Sequence, residues 1–110
     1  MSLSITTEAK GEATVVQAGG DLDVYSAPRL KETLDQTLIG SRLVLDLSGV
    51  EFIDSTALGV LVGALQLSRS SGGELRLVVD DPFLLKIFRI TGFDGMFSIY
   101  PQLEDALSAN

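Results

Sequence analysis

Hydrophobic spacing changes three times in the first fifty residues. Ser4–Glu8 and Ala13–Ala18 are short runs rich in Ile, Thr and Val, separated by Lys10-Gly11-Glu12, and they predict an opening β-hairpin. Behind Gly19-Gly20 comes Asp21-Leu22-Asp23-Val24-Tyr25. Ser26-Ala27-Pro28 follows, with Ser26 suited to cap a helix and Pro28 to sit in its first turn. Leu30, Leu34 and Leu38 recur at i, i+4 and i+8, the stripe of an amphipathic helix expected to stop at Gly40. Arg42–Leu47 is mostly apolar, as in a central strand covered on both faces. It is expected to end where polarity returns, at Ser48-Gly49.

From Thr56 to about Ser70 the chain is apolar on nearly every helical face, which predicts a helix that is largely buried or covered by a partner. Gly59 and Gly63, one turn apart, are expected to let it lie close on a sheet. Ser71-Gly72-Gly73 ends it, and Leu75–Val79 returns as a strand. Asp81-Pro82 then pairs an N-cap with a proline at the first helical position. The helix over 83–90 closes at Gly92, Met96–Tyr100 is the last strand, and Gln102–Ala109 a short terminal helix. The order β-β-α-β-α-β-α-β-α predicts one α/β domain over residues 1–110. Its sheet should be mixed but mostly parallel, opened by the hairpin, with about four helices packed on it.

Charge and composition narrow what such a domain does. Fifteen acids against eight bases give a net charge of −7, so the chain repels a polyphosphate backbone, and nucleic acid is not expected as a partner. The start, Met-Ser-Leu-Ser-Ile-Thr-Thr-Glu, lacks a basic, apolar leader, and no stretch approaches the ~18 apolar residues of a membrane span. A cytoplasmic protein without a membrane partner is expected. Cysteine and histidine are both absent, which removes disulfides, thiolate nucleophiles, Cys/His metal sites and imidazole bases together. Chemistry is left to hydroxyls, carboxylates, Lys and Arg, and no cofactor or metal is expected.

The most distinctive segment is Asp46-Leu47-Ser48, then Phe52-Ile53-Asp54-Ser55-Thr56-Ala57-Leu58-Gly59-Val60-Leu61. It sets Asp54-Ser55-Thr56 at the start of the apolar helix, beyond the C-terminal end of a strand, the edge of α/β sheets where sites collect. The plainer reading is that Ser55 or Asp54 simply caps the helix there. A serine hydrolase fails because Ser55 lies outside Gly-x-Ser-x-Gly and no histidine is present to act as base. None of Lys10, Lys31 and Lys86 has the context of a Ser-Lys pair. Asp21 and Asp23 together suggest a metal-bound aspartyl nucleophile less well than a turn carrying solvated acids. Gly19-Gly20 and Gly72-Gly73 read as turn glycines without a phosphate-binding fingerprint.

These residues carry a resemblance. The Asp46–Leu61 segment resembles the signature of the STAS domain of bacterial anti-sigma factor antagonists. Gly20-Asp21-Leu22-Asp23 followed by Ser26-Ala27-Pro28 resembles that family's second marker, and the segment from Leu85 to Phe93 its third. The markers lie in the family's order, and the resemblance covers essentially the whole chain. The resemblance implies a non-enzymatic partner-switching regulator. In its unmodified form it would bind an anti-sigma factor that is also a serine kinase using Mg-ATP, freeing a sigma factor. Phosphorylation would end that binding, and a PP2C-type phosphatase would reset it. Carried over by residue, the phosphate acceptor is Ser55, with Thr56 the secondary candidate. The partner-binding surface would take in Asp21, Asp23, Asp54, Ser55, Thr56, Ala57 and Leu58, extending over the apolar patch of the 57–67 helix. The family commonly has Gly where this chain has Ala57, a better helix former. Two other readings stay open: a STAS scaffolding or sensory-complex module, and a domain binding a small molecule or nucleotide.

Overall fold

The computed structural model describes residues 3–38 and 40–109. The opening runs pair as expected: β1 (Leu3–Lys10) lies antiparallel to β2 (Ala13–Leu22). Then β3 (Arg42–Ile53), β4 (Glu74–Val78) and β5 (Ser98–Tyr100) add in parallel, giving the spatial order β1-β2-β3-β4-β5. Every parallel crossover steps one strand in the same direction. With right-handed connections, α1 (Ala27–Thr37), α2 (Ser55–Ser70) and α3 (Pro82–Ile90) therefore fall on one face of the sheet. The final helix, α4 (Leu103–Ser108), covers part of the other face. This is the mixed five-stranded sheet with four helices that the element order predicts.

The larger core joins Leu43, Leu45 and Leu47 of β3 to the three helices, with Leu30, Leu34 and Leu61 fully buried against them. Phe88 of α3 closes that core edge-to-face on Phe97, ring centroids 6.1 Å apart. A smaller core on the opposite face sets Val15, Val44 and Val78 under Ala106 of α4. Arg76 stands on this second face, only 2% exposed. Its guanidinium donates to the Ala106 carbonyl and pairs with Glu74 at 3.0 Å, and the second oxygen of Glu74 accepts from Arg42 Nε at 3.1 Å. Among the described residues, no helix is long and apolar enough to cross a membrane.

Several boundaries differ from the sequence expectation. β2 continues through Gly19-Gly20 to Leu22, and β3 does not stop at Ser48-Gly49 but runs on to Ile53. The cause is a change of neighbours. Pairing of β3 with β4 ends at Asp46 opposite Val78, so the remainder of β3 is held by β2 alone, and exposed residues such as Ser48 and Glu51 are tolerated there. A register shift in the β2–β3 ladder after Gln17 and Asp46 accommodates the change. The last strand is shorter than Met96–Tyr100, because Gly92, at φ 78°, turns the chain out of α3 into a 3-10 turn over Phe93–Gly95.

Gly72-Gly73 is more than a flexible turn. A Cβ on Gly73 would stand 2.7 Å from the Leu38 carbonyl oxygen and 2.8 Å from that of Ser41. The α2–β4 turn therefore crosses in backbone contact with the α1–β3 connection, to which Glu74 N also bonds through Ser41 O at 2.9 Å.

Candidate functional site

The ends of β2 and β3 bring the candidate residues together. Leu22 pairs with Ile53, and directly beyond them Asp54 N donates to Leu22 O at 3.0 Å, so the turn that follows β2 lies beside the start of α2. Asp54 is extended, and its carboxylate accepts from Ala57 N at 3.0 Å while its carbonyl accepts from Leu58 N at 3.0 Å. Asp54, not Ser55, is therefore the cap. Ser55 becomes the first helical residue, exposed and outside the capping hydrogen bond, with exposed Thr56 next to it. These two stand where backbone N–H groups have no intrahelical partner and the helix dipole is positive.

The Asp21–Ser26 turn is built by its own polar groups. Ser26 occupies the N-cap position of α1 but makes no capping bond, contrary to expectation. Its hydroxyl instead donates to Asp21 O at 2.8 Å and accepts from Asp23 N at 3.0 Å. The Asp23 carboxylate does the local capping, accepting from Ser26 N and Tyr25 N, each at 3.0 Å. The Ser26 N–H, and after it that of Tyr25, holds the Asp23 carboxyl below its ordinary value of 3.8. The turn reading of Asp21 and Asp23 is thus the better one, since Asp23 Oδ1 is engaged by backbone N–H groups and no cluster of three or more potential metal ligands forms among the described residues.

A depressed carboxyl pKa contributes stability above the unfolded value and loses it as pH falls through the folded one. Below pH 3.8 the turn should therefore weaken. Asp23→Asn keeps one oxygen for the same N–H groups but does not titrate. The expected result is a urea midpoint near that of the parent at about pH 7, with a shallower decline below pH 3.8.

The predicted site residues do not all reach the surface. Asp21, Asp23 and Asp54 are half-buried at the same edge as exposed Ser55 and Thr56. Ala57 is 0% exposed and Leu58 is buried, because the first turn of α2 directs them onto the sheet, so neither offers a side chain to a partner. The glycines also face the other way. Gly59 and Gly63 are exposed, with nothing within 4 Å of an added Cβ, while Leu61, Ala64, Leu65 and Ser68 meet the core. The glycines instead floor a groove of about 430 Å³ between α1 and α2, which runs from Thr56 to Leu67 and is rimmed by the Lys31–Asp35 pair at 2.6 Å. That groove is what remains open of the apolar 57–67 patch.

Three residues of this edge escaped the sequence reading: Val24, Tyr25 and Phe52, of which Tyr25 is 90% exposed. Their signal was present, as large apolar residues in the segment after Gly20 and in the motif ahead of Asp54. Asp46 and Ser48, prominent in the sequence motif, stay away from the site. Asp46 is buried and accepts from Ser48 N at 2.9 Å and from Gln17 Nε2 at 3.4 Å, which shapes the irregular stretch of β3.

Comparison with known proteins agrees with this architecture. The model of the STAS domain family matches residues 4–106. The chain is 33% identical over 105 residues to an anti-sigma-B factor antagonist of Bacillus subtilis (strain 168), covering 94% of this chain and 96% of that one. The crystal structure of an anti-sigma factor antagonist from Mycobacterium paratuberculosis superposes with a TM-score of 0.90 at 29% identity, covering 97% of this chain and 92% of that chain. The Bacillus cell fate determinant SpoIIAA in its phosphorylated form shares the fold at 18% identity, with a TM-score of 0.72 over 94% of this chain and 96% of that one. The family model spans nearly the whole chain, including the capped turn that carries Ser55, and the chain belongs to the STAS domain family.

Proposed function

We propose that this chain is an anti-sigma factor antagonist that acts by switching partners. Unphosphorylated, it binds an anti-sigma factor with serine-kinase activity and so releases a sigma factor; phosphorylated on Ser55, it lets that partner go. The observation that carries this reading is the exposed Ser55 at the first position of a helix whose capping is done by Asp54. A hydroxyl placed so is open to modification without loss of the cap. Within the kinase, Ser55 Oγ would attack the γ-phosphorus of ATP, losing its proton as ADP departs. A PP2C-type phosphatase would return the hydroxyl by hydrolysis. The chain itself needs no catalytic group in this scheme.

The electrostatics favour a switch without refolding. A phosphate brings about −1.5 to −2 charges at pH 7 into an edge that already holds Asp21, Asp23 and Asp54. The helix N-terminus tolerates an anion, a contribution of about 0.3–1 kcal/mol. A partner packed against the same edge would have to desolvate the phosphate, and would be repelled wherever its own surface is acidic. The footprint read here is Asp21, Asp23, Asp54, Ser55 and Thr56, with the adjoining α1–α2 groove; Ala57 and Leu58 support it from beneath.

The test is phosphate transfer from the partner kinase and Mg-ATP, followed by peptide mass mapping. One phosphate is expected on Ser55. Ser55→Ala is expected to stay unmodified and still bind the kinase. Transfer of all the phosphate to Thr56, or to a residue outside this edge, would overturn the assignment.

A further inference from the structure

The segment from Leu85 to Phe93, marked in the sequence, is not used by the Ser55 switch, and its outer face is unpartnered. In α3 the side chains of Leu84 and Phe88 turn into the core and Ile87 packs partly against it, while Phe83 and Ile90, two turns apart, stand on the outer side. Phe83 is 53% exposed and Ile90 72%, and Met96 beyond the 3-10 turn is exposed as well. An apolar stripe of this kind on an otherwise acidic domain marks an interaction surface.

Charge is arranged along the same helix in a self-complementary way. Asp80 and Asp81 precede its N-terminus, and Arg89 stands in its last turn with Lys86 one turn earlier. Ion pairs among the described residues join Lys10 to Glu8, Lys31 to Asp35, and Glu74 to both Arg42 and Arg76. Lys86 and Arg89 take part in none of these. If a second α3 is laid antiparallel, its Phe83 meets Ile90 of the first. Its Asp80 and Asp81 then come within an arginine's reach of the first copy's Arg89. A two-fold axis repeats both contacts, as an isologous interface requires. Antiparallel helix dipoles favour the same arrangement.

We infer that the outer face of α3 is a self-association surface, on which a second copy of this chain docks with its own α3 antiparallel to the first. Neither Ser55 nor the Asp21–Ser26 turn enters the contact, so the inference does not depend on the proposed function.

Sedimentation equilibrium over a wide range of concentration tests it. The weight-average mass of the parent chain is expected to rise from 11.7 kDa toward twice that value. Ile90→Asp, a change at an exposed position, is expected to weaken association at least tenfold while circular dichroism stays unchanged. Arg89→Asp should weaken it too, and adding Asp80→Lys in the same chain should restore it, because the pair is re-formed with reversed signs. A parent mass that stays at 11.7 kDa throughout, or an Ile90→Asp chain that associates like the parent, would overturn the inference. It would equally be overturned if the parent remained monomeric and Ile90→Asp instead lost binding to the anti-sigma kinase, since the face would then belong to that partner.

Discussion

Ser55→Asp is expected to lower affinity for the proposed kinase partner about a hundredfold, equivalent to ~2.7 kcal/mol. The same substitution should leave the fold intact. Ser55 is exposed at the first position of α2, where a carboxylate meets the positive end of the helix dipole, so the melting temperature should hold or rise slightly. The two readouts therefore move apart: binding falls while stability does not. Ser55→Asn, which adds similar bulk without charge, separates the electrostatic contribution from the steric one and is expected to bind more tightly than Ser55→Asp. Titration calorimetry against the kinase measures all three chains. Binding of Ser55→Asp with parental affinity would show that charge at this position does not govern release.

The second large effect concerns stability alone. Arg76→Ala is expected to cost about 3 kcal/mol, because it opens a cavity on the buried α4 side of the sheet and strips the donor from the Ala106 carbonyl. Arg76→Met fills most of the volume and should recover part of that loss, the remainder measuring the orphaned carbonyl. Glu74→Gln should cost less than about 1 kcal/mol, since the Glu74 side chain is 46% exposed and water can replace part of its pairing. Urea unfolding of the three variants gives the series. If Glu74→Gln proved as damaging as Arg76→Ala, the ion pair rather than the buried packing would be what anchors α4.

Much of the architecture was legible because it rests on local rules. Leu30, Leu34 and Leu38 announce one face of α1, and all three are fully buried. Asp81-Pro82 announces the start of α3, and the Asp81 carboxylate accepts from Phe83 N at 3.4 Å. The site was legible in its centre for the same reason, since a polar triplet between an apolar strand and an apolar helix falls at the C-terminal edge of a parallel sheet. What escaped was decided by neighbours distant in sequence. β3 outruns its apolar stretch because β2 continues beside it after β4 has ended. Gly73 must lack a side chain because the α1–β3 connection passes against it. The orientation of α2 was out of reach for a similar reason. A helix apolar on nearly every side has no readable inner face, and only the sheet and α1 decide that Leu61 and Ala64 point inward while Gly59 and Gly63 line a groove.

The sequence by itself determined the order of elements, the parallel sheet, the family markers and Ser55 as the residue to test, since each follows from spacing and residue type along a few neighbouring positions. The tertiary structure alone decided that Asp54 rather than Ser55 caps α2, that Asp21 and Asp23 lie beside them, and that Ala57 and Leu58 are withdrawn from the surface. It alone also left Phe83 and Ile90 facing outward. The physical reason is common to all of these. Burial and hydrogen-bond partners are properties of surfaces brought together in space, and an apolar residue carries no mark in the sequence of whether the fold supplies something to cover it.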